Sequence, residues 1–221
     1  MEELKQNKRV FAVTGLIGSG KDTIADYLTR YHGFKRMSFA ASLKDAVSVV
    51  FNWDRELLEG STKSSREWRE QVDPWWAARL NMPDLTPRWV LQYWGTDVLR
   101  LGFHNDIWVA SVENKLRQAR DNIVITDCRF PNEIASVKAQ GGITIRIARG
   151  PDPEWCEVAM VLNSSNPAMA SDKGLAKRTL EEVYKVHSSE YSSVGLTYDH
   201  HVTNNGTIDE LHTQIESIVN C

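Results

Sequence analysis

The sequence predicts an α/β fold in which helices cover both faces of a parallel sheet. Two runs, Val10–Thr14 and Ile123–Thr126, are almost entirely apolar, as expected for strands that are buried on both faces. Segments with apolar residues at helical spacing alternate with these runs. A glycine-rich loop that ends in lysine follows the first run. The length of 221 residues fits a single domain, 1–221, with inserted segments.

The first part of the chain alternates helices and strands. Helical spacing of apolar residues predicts a helix over Thr23–Tyr31, which Gly33 would end. Phe34–Ala40 fits a second strand. The next helix begins at Ser42, and Asp45 three residues later completes a capping-box pattern.

A charged, tryptophan-rich segment, about 52–86, has no clear period, which predicts short helices and loops inserted into the main fold. Seven of the eight tryptophans lie between Trp53 and Trp108. Core packing and an interface in a homodimer are both open uses for these side chains. Thr86-Pro87 then predicts the start of a strong helix that runs to Leu101.

The second half continues the alternation. Helices are predicted over Asp106–Arg120, Asn132–Gln140 and Leu180–Val186, and from Thr207 onwards, where Glu210 completes a capping box. Strands are predicted over Ile143–Ala148 and Tyr198–Thr203. The rest of the region 150–190 contains no pattern that fixes its structure.

Composition argues against several classes of protein. Lys plus Arg is 26 and Asp plus Glu is 29, so the formal net charge of −3 provides no basic field for nucleic acid. The apolar runs are too short to span a membrane, and the polar segment 1–9 does not resemble a signal peptide. Cys128, Cys156 and Cys221 are widely spaced and suggest no disulfide framework. These features predict a cytoplasmic protein.

The loop between the first strand and the first helix, GLIGSGK, matches the phosphate-binding pattern G-x-x-x-x-G-K in its required context. Its glycines allow backbone N–H groups to surround phosphate oxygens, and Lys21 adds a full charge. Asp22 stands where Ser or Thr normally meets Mg²⁺. It either holds the ion through water or only favours the positive helix end. The predicted cofactor-binding residues are Gly15, Gly18, Ser19, Gly20, Lys21, Asp22 and Thr23.

Polar residues recur every four positions in the helix that begins at Thr86. Arg88, Gln92, Thr96 and Arg100 would lie on one face. This stripe lacks the mixture of Glu and Lys that is typical of a solvated surface. Its Arg and Gln side chains could bind a phosphate and the edge of a base. Gly95 costs about 1 kcal/mol against alanine in mid-helix, which indicates a close approach of another group.

The second apolar strand also ends in polar residues, Asp127 and Arg129, at the edge where parallel sheets bind ligands. Asp127 either holds Mg²⁺, directly or through water, or caps the following helix.

Taken in order, these motifs resemble the phage deoxynucleoside monophosphate (dNMP) kinases over most of the chain. The matching stretches are Gly18–Thr23, Thr86–Arg88, Leu91–Asp97, Asp106–Val109, Thr126–Glu133, His187–Glu190 and Asn204–Gly206. The resemblance implies a P-loop nucleoside monophosphate kinase-like three-layer fold with a lid near 150–190. It also implies ATP-dependent phosphorylation of a dNMP with Mg²⁺, in the host cytoplasm for a phage protein.

The same resemblance implies an acceptor site lined by Lys44, Arg88, Gly95, Thr96, Trp108, Asp127, Arg129 and Glu133, to which the polar stripe adds Gln92. The predicted catalytic residues are Lys21, Arg88, Asp127 and Arg129, and the predicted metal ligands are Asp22 and Asp127. Lys177 and Arg178 are candidate lid cations. His187 either has a structural role at the base of the lid or contacts a ligand.

Two other functions would share the phosphate loop. A dephospho-CoA or phosphomevalonate kinase should lack the stretch Arg88–Asp97, and a nonenzymatic nucleotide-binding module should show no acceptor-dependent turnover. An aromatic ring at the sugar predicts a preference for deoxynucleotides. Trp94 and Trp108 are the candidates, and burial in the core is the alternative, favoured more for Trp94 than for Trp108.

Overall fold

The computed structural model describes residues 8–221, so the prediction for segment 1–9 falls almost entirely outside the described residues. The described strands are β1 (Val10–Thr14), β2 (Lys35–Met37), β3 (Ile123–Ile125), β4 (Ile143–Ala148) and β5 (His200–Thr203). They form one parallel sheet in the order β2-β3-β1-β4-β5. The loops that follow β3, β1 and β4 therefore leave the same edge of the sheet side by side.

Helices cover both faces of this sheet. On one face, α1 (Lys21–His32) and α12 (Ile208–Val219) enclose the main core with β1, β3, β4 and β5. On the other face, α8 (Pro131–Ala139) packs against β1 and β4 through the buried Ile134 and Val137. The predicted fold class is confirmed, and so are the ends of two helices. Gly33 ends α1 at a φ of 66°, and Thr207 and Glu210 form the predicted capping box.

The chain divides into two compact units. The first consists of the described residues up to Ser38 and of Arg117–Cys221, and it contains the whole sheet. The second, Phe39–Leu116, is helical. Its elements are α2 (Ala41–Phe51), α3 (Arg55–Glu59), α4 (Lys63–Arg69), α5 (Pro74–Leu80), α6 (Pro87–Gln92), a π-helix (Tyr93–Leu101) and most of α7 (Ile107–Gln118).

The tryptophan-rich segment forms the short helices that its sequence predicts, and several of its rings pack in the core of the second unit. The ring of Phe51 stacks on Trp53 with 4.5 Å between centroids, and it also contacts Trp76 and Trp94. Core packing, one of the two predicted uses, is therefore correct for these rings. A homodimer stays a prediction.

The helix predicted from Thr86 to Leu101 begins as expected but changes type. The hydroxyl of Thr86 caps α6 by accepting from the backbone N–H of Trp89 at 3.1 Å. From Tyr93 onwards the backbone is a π-helix, whose i→i+5 hydrogen bonds no longer align residues that are four apart. Arg100 is buried and donates to the backbone oxygen of Asn105. The prediction of a continuous polar stripe is therefore wrong beyond Gln92.

Two further sequence predictions are wrong near the boundary between the two units in the sequence. Ser42 does not begin a capping box, because α2 starts at Ala41 without a side-chain cap. The Ser42 hydroxyl lies 2.8 Å from that of Ser111, and Asp45 instead accepts from Arg55. The second strand is also shorter than predicted, because β2 ends at Met37.

Region 150–190 is mostly helical. It contains α9 (Trp155–Asn163), a 3₁₀ turn (Pro167–Met169), α10 (Lys173–Arg178), a second π-helix (Thr179–Val183) and α11 (Ser188–Tyr191). A separate core of Cys156, Ala159, Leu180, Tyr191 and Val194 holds it together. The helix predicted at 180–186 is present in part, whereas α9 was not predicted. Across the described chain, each helix is too short or too polar to cross a membrane.

Candidate active site

The predicted phosphate loop lies between β1 and α1, where backbone geometry requires its glycines. Gly18 and Gly20 have φ values of 79° and 108°, in the region that favours glycine. A Cβ atom on Gly15 would lie 2.7 Å from Ser19 Oγ and would clash with the Ile147 carbonyl. The loop can therefore pack this closely against β4 only without a side chain at Gly15. Its backbone leads into the N-terminus of a 12-residue helix, which favours anions.

Lys21 folds back over this loop. Its Nζ donates to the carbonyl oxygens of Gly15 and Leu16, both at 2.8 Å. Burial lowers the pKa of Lys21, and the positive charge of Arg129 lowers it further. Two cations are thus held near each other beside the loop. A bound polyphosphate would relieve their repulsion.

Arg129 is positioned by two carboxylates. Its guanidinium forms an ion pair with Glu190, at the end of the lid region. Its backbone N–H donates to Glu133 Oε2 at 2.7 Å, and the N–H of Phe130 donates to the same oxygen at 3.2 Å. Glu133 is only 2% exposed. The structure therefore places Glu133, a predicted lining residue, under the backbone that carries Arg129.

The two predicted metal ligands have different surroundings. Asp127 accepts a hydrogen bond from Ser38 Oγ at 2.6 Å, and α8 begins after Phe130, so the alternative that Asp127 caps this helix is wrong. Asp22 lies in the first turn of α1, pairs with Arg36 at 3.3 Å, and its side chain is 82% exposed.

Oxygen donors near the loop fit Mg²⁺, which prefers carboxylate, hydroxyl and phosphate oxygens. Ser19 Oγ is buried in the loop, and no described residue forms a hydrogen bond with it. Within residues 8–221, no group of three or more His, Cys, Asp and Glu side chains is arranged to hold a metal ion. Mg²⁺ is commonly held by one or two carboxylates together with substrate phosphates, and the donors present suit that mode.

A cavity of about 390 Å³ opens beside the phosphate loop and lies wholly within the first unit. Its walls include Ile17, Ser19, Arg149, Pro153, Trp155 and Glu190. Apolar and aromatic walls with a few charged groups are typical of small-molecule sites of this size. Sequence analysis missed Arg149 and Trp155, which belong to no motif. The signal that was available is that Arg149 directly follows β4 and that Trp155 lies in the same connection, at the ligand-binding edge.

Asn204 supports the loop from the end of β5. Its Nδ2 donates to the Ser19 carbonyl at 2.9 Å, and a Cβ on Gly20 would lie 2.5 Å from this nitrogen. Sequence analysis placed Asn204 in a family motif but assigned it no role. The structure identifies it as a residue that positions the phosphate loop.

Asn204→Ala is expected to weaken ATP binding by about 2- to 10-fold, because one hydrogen bond of roughly 0.5–1.5 kcal/mol is lost from the loop. Asn220→Ala is the matched control, since Asn220 bonds only to Glu216 among the hydrogen bonds found for its side chain, at the exposed end of α12. Equilibrium titration with ATP measures the effect. Equal affinities of both variants and the parent would contradict the role of Asn204.

The remaining predicted acceptor residues belong to the second unit. Lys44 Nζ lies 2.6 Å from Glu59 Oε1, and Arg88 Nε lies 3.3 Å from Glu70 Oε1. Gln92 and Thr96 are half-buried, on α6 and the π-helix respectively.

Gly95 and Trp108 are joined by a hydrogen bond. The indole N–H of Trp108 donates to the Gly95 carbonyl at 2.9 Å. The close approach predicted at Gly95 comes from Leu43, whose Cδ2 would lie 2.8 Å from an added Cβ. Trp108 is only 7% exposed, whereas Trp94 is half-buried. The expectation that Trp94 is the more buried of the two is therefore wrong.

Two predictions concern the lid region. His187 caps α11 by accepting from the backbone N–H of Ser189 at 3.3 Å, which is the structural role that the sequence left open. Lys177 is exposed and lies 3.9 Å from Glu181. Its predicted role as a lid cation, like that of Arg178, stays a prediction.

A phosphate-binding loop on a parallel sheet, with two cations beside it, defines a P-loop α/β protein. The chain is 32% identical over 215 residues to a protein of Acanthamoeba polyphaga mimivirus described as a "Putative deoxynucleotide monophosphate kinase", and the match covers 91% of each chain. The chain therefore belongs to the deoxynucleotide monophosphate kinase family, and it is a phosphotransferase. This confirms the family that the motifs predicted. An origin in a phage stays a prediction.

Solved structures of other kinases are more distant. Shikimate kinase from Aquifex aeolicus is 16% identical with a TM-score of 0.46, and covers 96% of both chains. Dephospho-CoA kinase from Campylobacter jejuni is 15% identical with a TM-score of 0.42, and covers 97% of both chains. No protein-family model matches the sequence.

Proposed function

We propose that this protein transfers the γ-phosphoryl group of ATP to a deoxynucleoside monophosphate and so supplies diphosphates for DNA synthesis. The observation that carries the proposal is the placement of two cations at one edge of the sheet, with Lys21 at the end of the loop after β1 and Arg129 after the neighbouring strand β3. Membership of the deoxynucleotide monophosphate kinase family supports the choice of acceptor.

The chemistry of the acceptor explains why Lys21 and Arg129 are sufficient for phosphoryl transfer without a general base. The second pKa of a phosphate monoester is about 6, so the acceptor is mostly a dianion at neutral pH and needs no general base. The task is to align two anions and to neutralise their charge, which Lys21 and Arg129 do from fixed positions. Mg²⁺, when bound with ATP, neutralises further negative charge on the phosphates, and Asp127, Asp22 and Ser19 are the donors that would hold it.

Each nucleotide has its own set of residues in this proposal. The loop Gly15–Thr23 binds the ATP phosphates, and the 390 Å³ cavity beside it receives the donor base against Trp155. Arg88, Lys44, Gln92 and Thr96 bind the acceptor. Trp108 contributes by fixing the Gly95 backbone, because its only indole N–H is already bonded there. Glu133 positions Arg129.

An acceptor screen tests the proposed function. Release of ADP from ATP is measured with dAMP, dCMP, dGMP and dTMP, with GMP and UMP, and with dephospho-CoA and phosphomevalonate. We expect turnover with more than one dNMP and a higher kcat/KM for dGMP than for GMP. Turnover with dephospho-CoA or phosphomevalonate alone would replace this function. ATP binding without any acceptor-dependent turnover would point to a nonenzymatic module.

A further inference from the structure

An arginine in the second unit contains a buried donor that the fold leaves unsatisfied. Arg69 is the last residue of α4, and its Nε is buried without a hydrogen-bond partner among residues 8–221. A buried N–H of a charged group is costly when nothing accepts from it. The cost is recovered if a ligand supplies the acceptor.

The guanidinium of Arg69 lies directly over Gly60, so it occupies a defined place. A Cβ on Gly60 would lie 2.6 Å from Arg69 Nη1, and it would clash more severely with Nη2 and Cζ. Gly60 ends α3 at a φ of 69°. Arg66 stabilises the same turn, because its Nη1 donates to the carbonyl oxygens of Gly60 and Ser61 at 3.3 and 3.1 Å. The absence of a side chain at Gly60 thus makes room for the arginine.

The charged groups around Arg69 include two further arginines, Arg88 and Arg66, and two carboxylates, Glu70 and Glu59. Burial lowers the pKa of Arg69, and nearby Arg88 lowers it further, against the opposite effects of Glu70 and Glu59. Both carboxylates already have cationic partners. Glu70 lies 3.3 Å from Arg88 Nε, and Glu59 lies 2.6 Å from both Lys44 Nζ and Arg55 Nη1. A dianion at this place would be attracted by Arg69 and Arg88 together.

We propose that Arg69 is a further substrate-binding residue, which holds the phosphate monoester of the acceptor together with Arg88. The inference rests on the proposed function, and it names the group that fixes the acceptor phosphate. A phosphate offers three strong acceptor oxygens, and an arginine fork binds two of them at once. Nε is part of that fork, and a phosphate oxygen would supply the acceptor that this donor lacks among the described residues.

Kinetics of Arg69→Gln test this role, with Arg79→Gln as the matched control on the exposed end of α5. We expect KM for the dNMP to rise at least about tenfold in Arg69→Gln, because a bidentate charged contact is lost. The Kd for ATP should stay within about twofold, as should all constants of the control. Arg69→Lys should restore the KM only in part, since an ammonium does not reproduce the fork.

The possible failures are distinguishable. A parent protein that turns over dNMPs, combined with an unchanged dNMP KM in Arg69→Gln, would overturn the role of Arg69 and leave the proposed function intact. A parent protein without dNMP turnover would overturn the proposed function itself, and the phosphate monoester as ligand with it.

A comparison of two glycine variants distinguishes displacement of the Arg69 guanidinium from a general loss of stability. Gly60→Ala would displace Arg69, whereas Gly33→Ala imposes similar backbone strain, at a φ of 66°, with open space around the new Cβ. Both variants should lose thermal stability, but only Gly60→Ala should raise the dNMP KM. Equal KM values in the two variants would contradict the inference.

A direct readout uses the Nε–H group. In ¹⁵N-labelled protein, the Nε–H resonance that disappears in Arg69→Gln should shift when a dNMP or inorganic phosphate is added without ATP. A shift with inorganic phosphate but none with a dNMP would show an anion site that does not take the acceptor, and it would overturn the assignment. No shift with either ligand would also overturn it.

Discussion

Replacing Lys21 by methionine is expected to reduce phosphoryl transfer by about 10³-fold or more. Methionine retains most of the length but removes the charge beside the transferred group, where electrostatic stabilisation contributes most to catalysis. The fold should survive, because Lys21 bonds only to the loop carbonyls of Gly15 and Leu16 in the hydrogen bonds found for it. Its lowered pKa shows that the charge is disfavoured by its surroundings.

Steady-state turnover and circular dichroism of Lys21→Met measure this effect. Lys63→Met, at an exposed position in α4, is the control and should behave as the parent protein. A folded Lys21→Met protein with near-normal turnover would remove the phosphate loop from the mechanism.

Loss of Arg88 or Arg129 is expected to lower kcat/KM for the dNMP by about 10- to 150-fold. This corresponds to a charge-assisted contact of roughly 1.5–3 kcal/mol. The two alanine variants should differ in ATP binding. The charge of Arg129 lowers the pKa of Lys21 beside the loop, so Arg129→Ala should also weaken the binding of ATP. Arg88→Ala should weaken the binding of the acceptor alone. Arg88→Lys should recover little, because lysine lacks the planar fork.

Kinetics with varied dNMP and varied ATP separate these effects, and Arg30→Ala on the exposed face of α1 serves as the control. Unchanged dNMP kinetics in both Arg88→Ala and Arg129→Ala would mean that the acceptor phosphate is bound by other residues.

The sequence was most informative where local signals determine structure. Val10–Thr14 and Ile143–Ala148 are strands at their predicted bounds, since apolar runs between turns identify buried strands. The caps at Thr86 and Thr207 follow from side chains that bond within three residues. The π-helix after α6 was missed because its apolar spacing also suits an α-helix.

The candidate site shows the same limit. Lys21, Asp127 and Arg129 follow strand ends, so topology alone places them at one edge of the sheet. Asn204 supports Ser19 across 185 positions of sequence, a contact that no local pattern contains. Glu133 shows another limit, because a carboxylate near an arginine in the sequence does not indicate whether it binds the guanidinium or the backbone.

In the proposed reaction, the γ-phosphoryl group of ATP is transferred to the phosphate of a dNMP. The most direct measurement incubates the protein with Mg²⁺, a dNMP and ATP labelled with ³²P at the γ position, and then separates the products. We predict that label appears in the β-phosphate of the dNDP and that its transfer is lost in Lys21→Met. Label released only as inorganic phosphate, or retained in ATP while the nucleotides are bound, would contradict the account.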